Sequence, residues 1–124
     1  MKKHLLILFT LFFATNTIMQ AQTVLNFKLV NDTGKDIYAV HLAELHSQRW
    51  GENILPKNVL KAGDSVSIKF SYIGDETVCK WDLKLTHDKK EEHTWIELNK
   101  IDLCEVSVLT IFIDEDGQYA FKLE

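Results

Sequence analysis

The segment Thr77-Val78-Cys79-Lys80-Trp81-Asp82-Leu83-Lys84-Leu85-Thr86 alternates its side chains with a period of two. Cys79, Trp81, Leu83 and Leu85 fall on one face, and Val78, Lys80, Asp82 and Lys84 on the other. Successive Cβ atoms of an extended chain point to opposite sides, so this is the pattern of a half-buried β-strand. The segment carries one of three tryptophans and one of two cysteines. It is expected to form the spine of a core, with Asp82 directed outward.

Working outward, the same alternation recurs. Residues 24–31 put Leu25, Phe27 and Leu29 on an inner face, and residues 65–72 do so with Val66, Ile68, Phe70 and Tyr72. Residues 36–44 are apolar on both faces, which predicts a central strand or one covered on both sides. Residues 94–98 form the strand returning from the charged tip Asp88-Lys89-Lys90-Glu91-Glu92. Residues 106–113 are dense in β-branched side chains and belong in the centre of a sheet. Residues 118–124 close the sheet with Tyr119, Phe121 and Leu123 inward. Turn chemistry separates these runs: Asn31-Asp32-Thr33-Gly34-Lys35, Ala62-Gly63-Asp64, and Asp114-Glu115-Asp116-Gly117, whose Asp-Gly pair signals a two-residue hairpin turn. The alternation stops between Leu45 and Val59, where Ile54-Leu55-Pro56 is expected to return to the core through a short helical turn. No strong helical period occurs after residue 21. The fold class is therefore all-β, an antiparallel β-sandwich of about seven to eight strands.

The first residues do not belong to that domain. Met1-Lys2-Lys3-His4 is basic, Leu5 to Ala14 is apolar apart from Thr10, and a polar stretch leads to Met19-Gln20-Ala21. This is the pattern of a signal peptide over residues 1–21, cleaved after Ala21. The apolar run is too short to span a bilayer, which takes roughly 20 apolar residues. No cysteine near the junction offers a site for a lipid anchor. The mature chain is then one domain over residues 22–124, secreted or periplasmic and bacterial in style. Loss of Lys2 and Lys3 takes its formal charge from −4 to −6. An acidic chain without a basic cluster repels phosphates, so nucleic acid is not an expected partner. In an exported protein Cys79 and Cys104 read as a disulfide. Two buried thiols or a shared metal are the alternatives, but no histidines lie nearby to complete a zinc site.

The candidate chemistry is sparse. His41, His46, His87 and His93 form no metal-binding spacing. His87 and His93 flank one hairpin and are expected to be cross-strand neighbours of ordinary surface character, and His41 a satisfied, half-buried side chain. The acidic run at residues 114–116 lacks the spaced ligands of a calcium loop. No serine has a nucleophile-elbow context. No cofactor is called for and no catalytic residue is assigned. The functional candidate is the polar loop Arg49-Trp50-Gly51-Glu52-Asn53, because Trp and Arg are enriched at binding hot spots and loops on rigid sandwiches display them. Arg49, Trp50, Glu52 and Asn53 are expected to bind a partner protein or an envelope glycan, with Asp82 a weaker candidate. The structural alternative has Trp50 folding back to plug the open end of the sandwich, which the cost of exposed apolar surface favours. A small metal-binding envelope protein using the histidines is the second functional class, and a hydrolase the third.

The motifs Asn31-x-Thr33-Gly34-x-x-Ile37, Trp50-Gly51-x-x-x-Leu55, Leu60-x-x-Gly63, Cys79-x-x-Asp82-Leu83 and Leu103-Cys104 resemble those of a group of small exported bacterial β-domains of unassigned function. The resemblance covers Asn31 to Cys104 and implies a secreted, disulfide-capable β-sandwich. Some members carry the label argininosuccinate lyase, which is a large helical enzyme and does not fit a short β-rich chain. Where that group shows an Asp-Gly tip after the Asp-Leu strand, this chain has Asp88-Lys89-Lys90-Glu91, which argues against a shared ligand there.

Overall fold

A computed structural model describes residues 22–74, 77–90 and 94–124. The expected signal peptide, Glu91 and Glu92 of the charged tip, and His93 lie outside the described residues. Among the described residues there are seven strands: β1 (Gln22–Asp32), β2 (Ala39–Glu44), β3 (Ser65–Ile73), β4 (Lys80–Thr86), β5 (Ile96–Asp102), β6 (Val108–Ile113) and β7 (Tyr119–Leu123). They form a four-stranded sheet in the order β3-β1-β6-β7 and a three-stranded sheet in the order β2-β4-β5. The described chain is all-β, and two packed sheets make a sandwich.

Hydrophobic alternation drives the packing. Leu25, Phe27 and Leu29 of β1, Ile68 and Tyr72 of β3, and Leu109 and Ile111 of β6 are buried on one sheet. Val40 and Leu42 of β2, Trp81, Leu83 and Leu85 of β4, and Leu98 and Ile101 of β5 are buried on the other. β4, which lies within the alternating segment Thr77–Thr86, is thus the centre of its sheet. Tyr119 and Phe121 pack against the core as expected, whereas Leu123 is 38 % exposed at the end of β7.

The expectation of a wholly antiparallel sandwich is corrected at one place. β1 runs parallel to β6, with Lys28 opposite Val108 and Asp32 opposite Phe112. The reason lies in the connections: every hairpin-linked pair is antiparallel, but β1 and β6 are joined through the opposite sheet and are free to align. β2 is an edge strand, yet it is covered on both faces as its composition requires. Ala39 and Ala43 on its outer side are as buried as Val40 and Leu42 on its inner side. The expected helical turn at Ile54-Leu55-Pro56 does not form; the chain only bends at 56–58 while Ile54 and Leu55 pack against the core. The hairpin at Asp114 is also longer than two residues. Asp114 Oδ1 accepts the N–H groups of Asp116 and Gln118, and Gly117 takes φ 78°, a three-residue loop with glycine in the left-handed position.

Asn31 anchors the crossover out of β1. Its carboxamide is fully buried and fully used: Nδ2 donates to Lys35 O and Leu60 O, and Oδ1 accepts from Thr33 N–H and Thr33 Oγ1. At the far side of the sandwich the half-buried His87 ties the sheets together. Its Nδ1–H donates to Asp36 O at 2.7 Å, and Nε2 lies 2.8 Å from the Tyr119 hydroxyl. Burial raises the pKa of Tyr119. His87 is thus structural rather than an ordinary surface histidine.

Cys79 and Cys104 form a disulfide with Cα atoms 5.1 Å apart, fastening the entry of β4 to the β5–β6 connection. It closes a segment with a sequence separation of 25. Replacing both cysteines by serine is expected to cost about 3.5 kcal/mol by chain-entropy reasoning. The urea midpoint measures this, and an unshifted midpoint contradicts it.

Candidate functional site

The loop that leaves β2 decides the local geometry. His46 and Gln48 adopt φ 63° and 58°, conformations unfavourable for non-glycine residues. On β5, Lys100 adopts φ 62° next to an irregularity in the β4–β5 register between Trp81 and Leu83. One side chain holds both places. Asp82 Oδ2 accepts His46 N–H at 2.9 Å and Oδ1 accepts Lys100 N–H at 3.1 Å. The expectation that Asp82 faces solvent is corrected: it is 4 % exposed. Its face of the strand is the outer one, as the alternation says, but the 45–48 turn covers it. Burial by itself pushes its carboxyl pKa up. The amides of His46 and Lys100, the Asn99 side chain and the charge of His46 together outweigh burial, and the pKa lies below the ordinary 3.8.

From this brace the loop runs back along the free edge of β2. Gly51 N–H donates to Leu42 O at 2.9 Å, Ile54 N–H donates to Val40 O at 2.8 Å, and Val40 N–H donates to Asn53 Oδ1 at 2.9 Å. Asn53 Oδ1 also accepts Leu55 N–H. The Gly51 carbonyl meets His41 Nδ1 at 2.7 Å, which satisfies His41 as expected. The loop backbone is therefore fixed along the β2 edge.

Its side chains divide between two surfaces. Arg49, Glu52 and Asn53 line a cleft of about 560 Å³ between the edges of the two sheets. The opposite wall is Lys69, Phe70, Ser71 and Tyr72 of β3, and Trp81 forms the floor. The Trp81 ring stands edge-on to Phe70 (5.1 Å, 87°) and to Tyr72 (4.9 Å, 69°), and its indole N–H is buried without an acceptor among the described residues. Neither Arg49 nor Glu52 makes an ion pair with another described residue.

Trp50 goes elsewhere. It is half-buried on the outer face of the three-stranded sheet, with Lys84 Nζ 5.0 Å from its ring centroid and 4.4 Å from that of Trp95. His41 meets Trp95 edge-on at 5.4 Å. Trp50 is thus neither packed into the core, against which Ile54 and Leu55 do pack, nor a member of the cleft. The structure brings together Arg49, Glu52 and Asn53, and places Trp50 and Asp82 apart from them. Sequence reasoning missed Phe70, Tyr72 and Trp81 as cleft residues, because their alternation marks them as core.

Among the described residues the one group of three ligand-type side chains is Cys79, Asp102 and Cys104. Both sulfurs belong to the disulfide, and Asp102 accepts Cys104 N–H and pairs with Lys80 at 3.2 Å. His46 and His87 are not part of it.

No family model and no curated protein matches the chain. Among solved structures, the NMR structure of a protein from Eubacterium rectale is similar, with a TM-score of 0.54 at 17% identity over 81% of this chain and 87% of that one. At that identity the likeness is one of fold alone.

Asp82→Asn replaces one acceptor by a donor facing a partly buried amide. It is expected to lower unfolding stability by about 2 kcal/mol. In the native chain the folded carboxyl titrates below its unfolded value of 3.8. Its contribution is therefore complete above that pH and drains away as pH falls through the lowered folded value. Denaturation followed against pH should show this acid limb in the native chain and a weaker one in Asp82→Asn; superimposable profiles contradict the brace.

Proposed function

We propose that this protein is a non-enzymatic binding module of the cell envelope or extracellular space, which captures a partner through the 49–53 loop. The observation that carries this reading is the pairing of a fixed loop backbone with uncommitted charges. Four hydrogen bonds hold residues 51–54 of the loop on β2, while Arg49 and Glu52 line a cleft with an aromatic floor and form no ion pair with described residues. Preorganisation of this kind lowers the ordering cost of association, and an arginine beside buried aromatics is the composition of an interaction hot spot. Export to a secreted or periplasmic location is supported by the signal-like residues 1–21 and by the disulfide. No described helix is long and apolar enough to cross a membrane.

Within this reading Arg49 and Glu52 are the recognising side chains and Asn53 positions them, since its Oδ1 serves the loop backbone. The test is capture from a native envelope fraction by the immobilised domain. Arg49→Ala with Glu52→Ala should reduce capture by about tenfold or more, as for a pair of hot-spot residues, with little change in Tm. Trp50→Ala, which alters the outer face only, should retain capture. A double variant that captures as well as the native chain removes the proposal.

A further inference from the structure

The four sheet edges are not treated alike. An unpaired edge strand is a template for another chain, and folds normally blunt it. The β2 edge is closed by the loop through Gly51, Asn53 and Ile54. The β5 edge is interrupted by its irregular register and by left-handed Lys100. The β7 edge is five residues long. β3 differs: it runs nine residues from Ser65 to Ile73, pairs with β1 in unbroken register, and contains no proline.

The direction of its backbone groups follows from β1. Lys28 N–H donates to Ser107 O on the β6 side, while Asn31 exchanges hydrogen bonds with Gly63 and Asp64 on the β3 side. Odd-numbered residues of β1 therefore face β3, and they pair with Val66, Ile68, Phe70 and Tyr72. The intervening Ser67, Lys69 and Ser71 turn N–H and C=O to the open edge, where they have no backbone partner among the described residues. Lys69 and Ser71 also line the cleft.

We propose that this edge accepts an extended polypeptide segment of a partner protein, which adds as a strand to β3 and turns alternate apolar side chains into the cleft. This rests on the binding reading above and names its partner class. Main-chain hydrogen bonds to Lys69 and Ser71 supply the register, and the space over Phe70, Tyr72 and Trp81 selects the inward side chains. A second copy of this chain fits less well. Its own β3 has its inner side chains packed in its own core, and pairing edge to edge leaves the cleft unfilled.

The experiment is selection of linear peptides from a displayed random library on the immobilised, disulfide-intact domain, followed by titration and amide hydrogen exchange. The expected peptides alternate apolar and polar residues and protect the amides of Lys69 and Ser71, which exchange quickly in the free domain while those of Ile68 and Phe70 do not. Ser71→Pro removes an outward donor without breaking the β1 ladder, and should weaken binding by about tenfold or more. Exchange in the native chain gives the answer even if that variant fails to fold. Failure to select any peptide, or binders that leave Lys69 and Ser71 unprotected, overturns the proposal. So does a concentration-dependent dimer that Ser71→Pro abolishes, which assigns the edge to a second copy. Binding lost in Arg49→Ala with Glu52→Ala but kept in Ser71→Pro leaves the loop reading standing and removes strand addition; the converse removes the loop reading alone.

Discussion

A single buried carboxylate sets the shape of this domain beyond its core. Asp82 sits on the central strand of the smaller sheet and accepts one amide from each side, His46 beyond β2 and Lys100 within β5. Both donors hold left-handed backbone conformations that non-glycine residues adopt at a cost. The charge-assisted bonds offset that cost, and the strain has two effects. It turns the chain after β2 so that the loop can double back along its edge, and it breaks the regularity of β5. The cleft, the fixed loop and a blunted edge all descend from that arrangement.

Period-two alternation told where strands lie and which side chains share a face, and it did so because each strand packs one face against the other sheet. It told less about the second face. Asp82 has the parity read from the sequence, but parity does not reveal that the 45–48 turn folds over it. The parallel pairing of β1 with β6 was illegible for another reason, since register between strands distant in sequence leaves no local signature. The cleft was half legible: Arg49, Glu52 and Asn53 stood out as a polar loop, while Phe70, Tyr72 and Trp81 looked like ordinary core residues. They are core residues, and they are also the floor of an opening between two edges.

The short motifs that suggested a family resemblance coincide with devices of the fold. Asn31 and Thr33 organise the turn after β1, Gly51 donates to Leu42 on the β2 edge, Cys79 and Cys104 make the disulfide, and Asp82 carries the brace. Ile37 and Leu60 exchange the isolated bridge between the two turns. In this chain those positions serve the architecture.

The parallel pair also fixes an order of events. A chain made from its amino terminus supplies β1 first, and β1 can meet its antiparallel partner β3 early. Its other edge must wait for β6, because Lys28 pairs with Val108 near the opposite end of the chain. Closing so long an excursion slows folding, and the waiting edge is open to wrong partners. Of the described strands, those of the larger sheet are therefore the last to become safe from aggregation, although that sheet contains β1.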